Sequence, residues 1–214
     1  MIKGIIFDMD GVLIDTEKLY NRFWCEAAAI FGYDMKREHA LMIRSTSAPV
    51  AIPMLEEKLG RGFPYYEVKK KRIEIMNEYI DKNGVEVKKG AHELLDYLKE
   101  NGIKAAVATS SDMERTNKYL TMAGLYGKFD CYVSGVNVAR SKPFPDIYIE
   151  AAKQLGLDTK DCFAVEDSPS GVKSAYAAGC KTIIVPDLDE PDEDMRSKAY
   201  AICESLDKIL DLIK

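Results

Sequence analysis

From Lys89 to Pro186 short apolar runs alternate with amphipathic stretches, and this rhythm constrains the fold more than any other feature. Gly90 to Asn101 reads as a helix with Leu94, Leu95 and Leu98 on one face and Gly102 as its stop. Strand Lys104 to Ala108 follows, then helix Asp112 to Ala123 ending at Gly124, and strand Cys131 to Ser134. Helix Pro145 to Leu155 ends at Gly156; strand Cys162 to Val165 leads into helix Ser168 to Ala178, closed by Gly179; strand Thr182 to Val185 stops at Pro186. A weak strand near Ala201-Ile202 and a helix from Ser205 to Ile213 complete the pattern. Repeated strand–helix units of this size imply a parallel sheet with right-handed crossovers.

Residues from about Asp15 to Val87 break the rhythm. They hold helical patterns at Glu17 to Phe31, Lys36 to Arg44, Val50 to Leu59 and Tyr66 to Asn83, and no convincing strand. The expected fold is therefore α/β: a doubly wound parallel-sheet (Rossmann-like) core from residues 1–14 and 88–214, with an all-helical unit, 15–87, inserted between the first two strands. Leu13 to Glu17 and Gly84 to Gly90 are the two linkers. Two crossings close together suit hinge closure over a site.

The first strand, Ile2 to Phe7, runs directly into Asp8-Met9-Asp10-Gly11. Reactive groups in open α/β sheets sit just past the carboxyl ends of strands. Two acids there are costly unless something offsets their charge. A divalent cation would do so and leave one carboxylate to attack an electrophile. Asp and Gly are also ordinary turn residues, which is the competing reading. Other strand ends repeat the theme: Thr109-Ser110-Ser111 puts hydroxyls after a strand, Ser141-Lys142-Pro143 puts a lysine before a helix, and Glu166-Asp167-Ser168 puts two adjacent acids after a strand. Ser110, Ser111 or Asp112 could instead cap the following helix, as could Asp167 or Ser168.

Asp8-Met9-Asp10-Gly11-Val12, Ala106-Val107-Ala108-Thr109-Ser110-Ser111, Ser141-Lys142-Pro143-Phe144-Pro145-Asp146 and Phe163-Ala164-Val165-Glu166-Asp167-Ser168 occur in that order. Together they resemble the four motifs of the haloacid dehalogenase superfamily, in its phosphatase and phosphomutase branch, over Met1 to about Pro186. The resemblance implies that the helical insertion is that family's cap. It implies Asp8 as nucleophile forming an aspartyl-phosphate, and Asp10 as general acid and base with its backbone carbonyl on the metal. It gives Thr109 and the Ser110 amide to the phosphate, and makes Lys142 a bridge between Asp8 and the phosphate. Glu166 and Asp167 join Asp8 and Asp10 in holding metal. Hard oxygen ligands beside a phosphate suit Mg²⁺. In the cap, Glu17, Tyr20, Asn21 and Trp24 share one helix face, and Arg44-Ser45-Thr46-Ser47 is a polar loop. Glu17, Tyr20, Trp24 and Arg44 are the substrate candidates there, with Trp24 also reading as cap core. Lys69-Lys70-Lys71-Arg72 reads as a solvated basic face and Asp187 to Asp194 as a solvated acidic loop.

Composition narrows the partners. A net charge of -5 supplies no basic field for nucleic acid, and no apolar stretch is long enough to span a bilayer. The first strand begins at once, which leaves no room for a signal peptide, so a cytoplasmic protein is expected. Five cysteines and two distant histidines point to buried reduced thiols rather than zinc. The reading is a Mg²⁺-dependent phosphatase for a small phosphorylated metabolite, a sugar phosphate or nucleotide-related monoester, expected as a monomer. The alternatives are a β-phosphoglucomutase-type mutase and a non-catalytic phosphometabolite-binding regulator. Tyr20 stands where the mutase carries a cap histidine, and Ser47-Ala48-Pro49 follows where its specificity loop has an arginine. The regulator is disfavoured because every catalytic position is filled.

Overall fold

A computed structural model describes residues 2–44, 46 and 48–213. Ser45 and Ser47 of the polar cap loop lie outside them. The chain divides into two compact units, Met1–Asp15 with Val85–Lys214, and Thr16–Gly84.

The elements run β1 (Gly4–Phe7), α1 (Glu17–Ile30), α2 (Arg37–Met42), α3 (Ala48–Leu59), α4 (Tyr65–Asn83), α5 (Ala91–Glu100), β2 (Lys104–Thr109), α6 (Met113–Met122) and β3 (Cys131–Ser134). They continue with α7 (Asp146–Leu155), β4 (Cys162–Glu166), α8 (Pro169–Ala177), β5 (Lys181–Ile184), α9 (Glu193–Lys198), β6 (Ala199–Ile202) and α10 (Leu210–Ile213). Six strands form one sheet in the order β3-β2-β1-β4-β5-β6, every neighbouring pair parallel. This is a doubly wound α/β sheet. Its direction of winding reverses between β1 and β4, and the carboxyl ends flanking that reversal form the natural ligand crevice.

Gly4, Ile5, Ile6 and Phe7 are all buried, which is why β1 reads as an unbroken apolar run rather than an alternating one. Phe7 is level with Val107 on one side and Val165 on the other, so β1, β2 and β4 end side by side. Helix α7 packs across β1, β2 and β3, burying Ile147, Tyr148, Ala151, Ala152 and Leu155. It meets small strand residues, Ala106, Ala108 and Ala164, so the helix comes close enough for a polar tip on it to reach the strand ends. Each large aliphatic buried here contributes about 1.5–3 kcal/mol. In α5, Leu94, Leu95 and Leu98 are buried as their spacing predicts.

The helical unit has its own core of Trp24, Ala27, Ala28, Leu55, Phe63, Tyr65 and Val68. Helix α1 packs along α4, and the rings of Trp24 and Tyr65 lie 5.4 Å apart. The structure corrects two surface expectations here and in the sheet unit. Arg72 does not belong to a solvated basic face: it is buried, with its guanidinium 4.7 Å from the Tyr20 ring and 5.4 Å from that of Trp24. The acidic stretch is not all loop either. Asp192 caps α9 by accepting from the Met195 amide, and Asp187 pairs with Lys88 at 2.6 Å with its side chain almost wholly buried. A capping carboxylate stabilises the first turn of a helix in the same way whether it comes from an acid-rich stretch or not. Among the described residues no helix is long and apolar enough to cross a membrane.

Candidate active site

Asp8 is the first residue past β1, and its amide still donates to Val165 O at 3.0 Å. The strand pairing therefore fixes where its carboxylate begins. Beyond it the chain turns tightly: the Leu13 and Ile14 amides both donate to Met9 O, and Gly11 takes φ of 84°. Glycine adopts that conformation without the Cβ clash other residues meet.

Lys142 reaches Asp8 from the loop before α7. Its ammonium donates to Asp8 Oδ1 at 2.7 Å, Glu166 Oε1 at 2.6 Å and Ala108 O at 3.0 Å. Three acceptors match its three protons, and the side chain is 4% exposed. A buried ammonium without them would cost several kcal/mol. Burial works against its charge, but the Asp8 and Glu166 carboxylates outweigh it and hold its pKa above the usual lysine value.

Glu166 is fully buried at the end of β4. Its Oε1 also accepts from the Tyr148 hydroxyl at 2.5 Å, and its Oε2 lies 3.3 Å from both the Asp167 amide and Ser168 Oγ. The carboxylate lies over the first turn of α8, where a Cβ on Gly171 would come within 2.0 Å of it. No side chain fits there, so Gly171 is required by that carboxylate. Burial, then the Glu166 charge, pushes the Tyr148 hydroxyl well above its ordinary pKa, so it stays a donor. Burial also pushes Asp8 up to about 7; Lys142 pulls it down, while Glu166 and Asp10 add to the rise.

Asp10 is held differently. Its Oδ1 accepts from Arg115 Nη2 at 2.7 Å and its Oδ2 from Ser111 Oγ at 3.0 Å. Beside it, Thr109 Oγ1 accepts from the Ser111 amide at 3.1 Å, which leaves the hydroxyl proton to donate elsewhere. The capping alternatives resolve cleanly. Asp112 caps α6 and Ser168 caps α8, so neither Thr109 nor Asp167 is taken up by that task.

Carboxylate oxygens of Asp8, Glu166 and Asp167 lie within 4.8 Å of one another, all buried. Hard, anionic oxygens at this spacing suit Mg²⁺. Lys142 contacts two of these three carboxylates, Asp8 and Glu166, and a divalent ion would offset remaining negative charge in the cluster. Among the described residues the Asp10 carboxylate is not in this cluster.

The structure thus brings Asp8, Asp10, Thr109, Lys142, Glu166 and Asp167 to one edge of the sheet, with Ser110 exposed beside Thr109. In the helical unit Glu17, Tyr20 and Arg44 are partly exposed, whereas Trp24 is 8% exposed and belongs to that unit's core. Sequence reasoning missed Tyr148, Arg115, Ser111 and Gly171. Tyr148 had a signal: a tyrosine on the apolar face of a helix needs a partner for its hydroxyl.

A family model described as haloacid dehalogenase-like hydrolase matches residues 5–185. The chain belongs to this family. Among its relatives, Protein CbbY of Rhodobacter capsulatus is 32% identical over 212 residues, 94% of this chain and 92% of that one. Hexitol phosphatase B of Escherichia coli (strain K12) is 31% identical over 191 residues, 86% and 84%. A Thermotoga maritima crystal structure provisionally named beta-phosphoglucomutase superposes with a TM-score of 0.79 at 28% identity, covering 99% of this chain and 98% of that one. This haloacid dehalogenase-like protein falls in the β-phosphoglucomutase-like branch with a helical cap, and it is an enzyme of the phosphoric monoester hydrolase type.

Proposed function

We propose that this enzyme is a Mg²⁺-dependent phosphatase that hydrolyses a small phosphorylated metabolite through an aspartyl-phosphate on Asp8. The observation that carries the reading is the Lys142 ammonium held between Asp8 and Glu166 at the crevice where the sheet reverses. Asp8 attacks phosphorus in line with the leaving oxygen. As the ester P–O bond breaks, its electron pair goes to the leaving oxygen, which takes a proton from Asp10. Asp10 then removes a proton from water, the water oxygen bonds to phosphorus, and the P–O bond to Asp8 breaks with its electrons returning to the carboxylate. Thr109 Oγ and the Ser110 amide hold the phosphoryl oxygens, and Lys142 offsets charge on nucleophile and phosphoryl group alike. A bound Mg²⁺ supplies further neutralisation of those oxygens. Asp8, Asp167 and the Asp10 backbone oxygen would hold it, with Glu166, whose Oε1 is committed to Lys142 and Tyr148, beside them.

The substrate class is a sugar phosphate, a sugar alcohol phosphate or a nucleotide-related monoester. Hexitol phosphatase B supports the second. Selection falls to Glu17, Tyr20 and Arg44 of the cap, with Trp24 supporting them from its core.

The test is phosphate release from sugar phosphates, hexitol phosphates, nucleotides and p-nitrophenyl phosphate, with Mg²⁺ and with EDTA, beside Asp8→Asn. The expected result is metal-dependent release that Asp8→Asn abolishes in a folded protein. Retained activity in that variant overturns the nucleophile. Release from no substrate overturns the phosphatase, and β-glucose 1-phosphate with a bisphosphate primer then tests the mutase.

A further inference from the structure

Asp10 lies past the strand, in an isolated bridge with Ile14 that fixes its backbone but not the direction of its side chain. Among the contacts on its carboxylate are those from Ser111 Oγ and Arg115 Nη2, on either side of the start of α6. Those donors are themselves held. The Arg115 amide donates to the capping Asp112 carboxylate at 2.8 Å, and its guanidinium lies 4.9 Å from the centre of the Tyr119 ring, one turn further along α6 and 1% exposed. Ser111 is pinned by its own amide to Thr109 Oγ1 and by its carbonyl to Ser134 Oγ at 2.6 Å. Ser111 is 8% exposed, and the side chains of Arg115 and Asp10 are 23% and 12% exposed.

We infer that Arg115 is a positioning residue for Asp10: with Ser111 it fixes the rotamer from which Asp10 passes its proton to the leaving oxygen. A proton donor is useful only along one direction of approach, and freezing that direction beforehand removes an orientational cost from the transition state. A charge-assisted hydrogen bond from a planar guanidinium, stacked on a buried ring, is the rigid tether such a role needs. Arg115 acts on the leaving group through the Asp10 carboxylate to which it donates. The inference rests on the reading of Asp10 as the general acid.

The test exploits leaving groups. Cleaving an alkyl phosphate requires protonation of a basic alkoxide, whereas p-nitrophenolate departs without help. The quantity measured is kcat/KM, which reports steps up to breakage of the ester bond, for a hexitol phosphate and for p-nitrophenyl phosphate. Arg115→Ala and Arg115→Met are expected to lose about 10- to 100-fold more on the alkyl ester than on the aryl ester. KM should be nearly unchanged, because the ground-state phosphate contacts remain. Added guanidinium should restore alkyl-ester activity to Arg115→Ala, but not to Arg115→Met, whose side chain fills the space over Tyr119, nor to Asp10→Asn. Ser111→Ala, which removes the other tether without altering α6, should show a smaller loss of the same kind and keeps the test open if the Arg115 variants unfold. Equal losses on both esters in the Arg115 and Ser111 variants, with Asp10→Asn still selective for the alkyl ester, overturn the inference and leave the acid in place. Equal losses in Asp10→Asn overturn the reading of Asp10 and the inference with it.

Discussion

The sheet edge and the helical cap each bury a cation, and they do it by different physics. At the sheet edge Lys142 sits among three oxygen acceptors, two of them carboxylates. In the cap Arg72 lies against the faces of Tyr20 and Trp24. The first is a compact charge held by three oxygens at or beside strand ends. The second is a flat, weakly hydrated cation among aromatic rings. The difference teaches where each unit tolerates change: the edge is a closed polar network in which removing one member strands the others, while the cap is an aromatic core that a similarly shaped apolar side chain partly replaces.

The sharpest way to break that comparison is to delete each cation as methionine. Lys142→Met should lower unfolding free energy by about 3–5 kcal/mol, the scale of stranding buried partners, and end turnover. Arg72→Met should cost about 1–2 kcal/mol. Denaturant unfolding of the two variants checks this, and an equal or reversed order would erase the distinction.

A second effect, about 2–3 kcal/mol, sharpens the account of the edge. Burial pushes the Asp8 carboxyl from an ordinary 3.8 up to about 7. Without metal, folding therefore takes up a proton across that interval. Stability is highest below the ordinary value, falls as pH rises through the interval and flattens above about 7. In EDTA, the wild-type protein should lose stability relative to Asp8→Asn between about pH 5 and pH 7, and no further above it. A difference that stays flat with pH would show that Asp8 is not desolvated.

The smallest expected effect concerns the hydroxyl that backs the network. Tyr148→Phe keeps the ring under Lys142 and removes only the donor to Glu166. It should lower stability by about 1.5 kcal/mol and kcat by about tenfold. An unchanged kcat at lowered stability would make Tyr148 a packing residue alone.

How much was legible depended on the range of the interaction. The strand and helix alternation and the apolar face of α5 lie in short windows and read directly from spacing, whereas the meaning of the order of acid, hydroxyl, lysine and acid pair came from its resemblance to the family's motifs. The acidic stretch misled because Asp187 and Asp192 carry the same charge yet do different work: one pairs with Lys88, 99 positions away, and the other caps the helix beside it. Arg72 misled because it follows three lysines, while its burial is decided by rings on another helix.

By itself, the sequence determined a doubly wound sheet, a helical insertion and the polar residues that end β1, β2 and β4 and precede α7. These follow from local periodicity, from repeated strand–helix units that right-handed crossovers build into a parallel sheet, and from resemblance in the motifs. Only the tertiary structure decided that Tyr148 shares Glu166 with Lys142, that Gly171 makes room for that carboxylate, and that Arg115 faces Asp10 across 105 positions. Those contacts join residues from different strand–helix units. Their partners are set by how closely α6, α7 and α8 pack on the sheet, a quantity no single stretch of chain encodes.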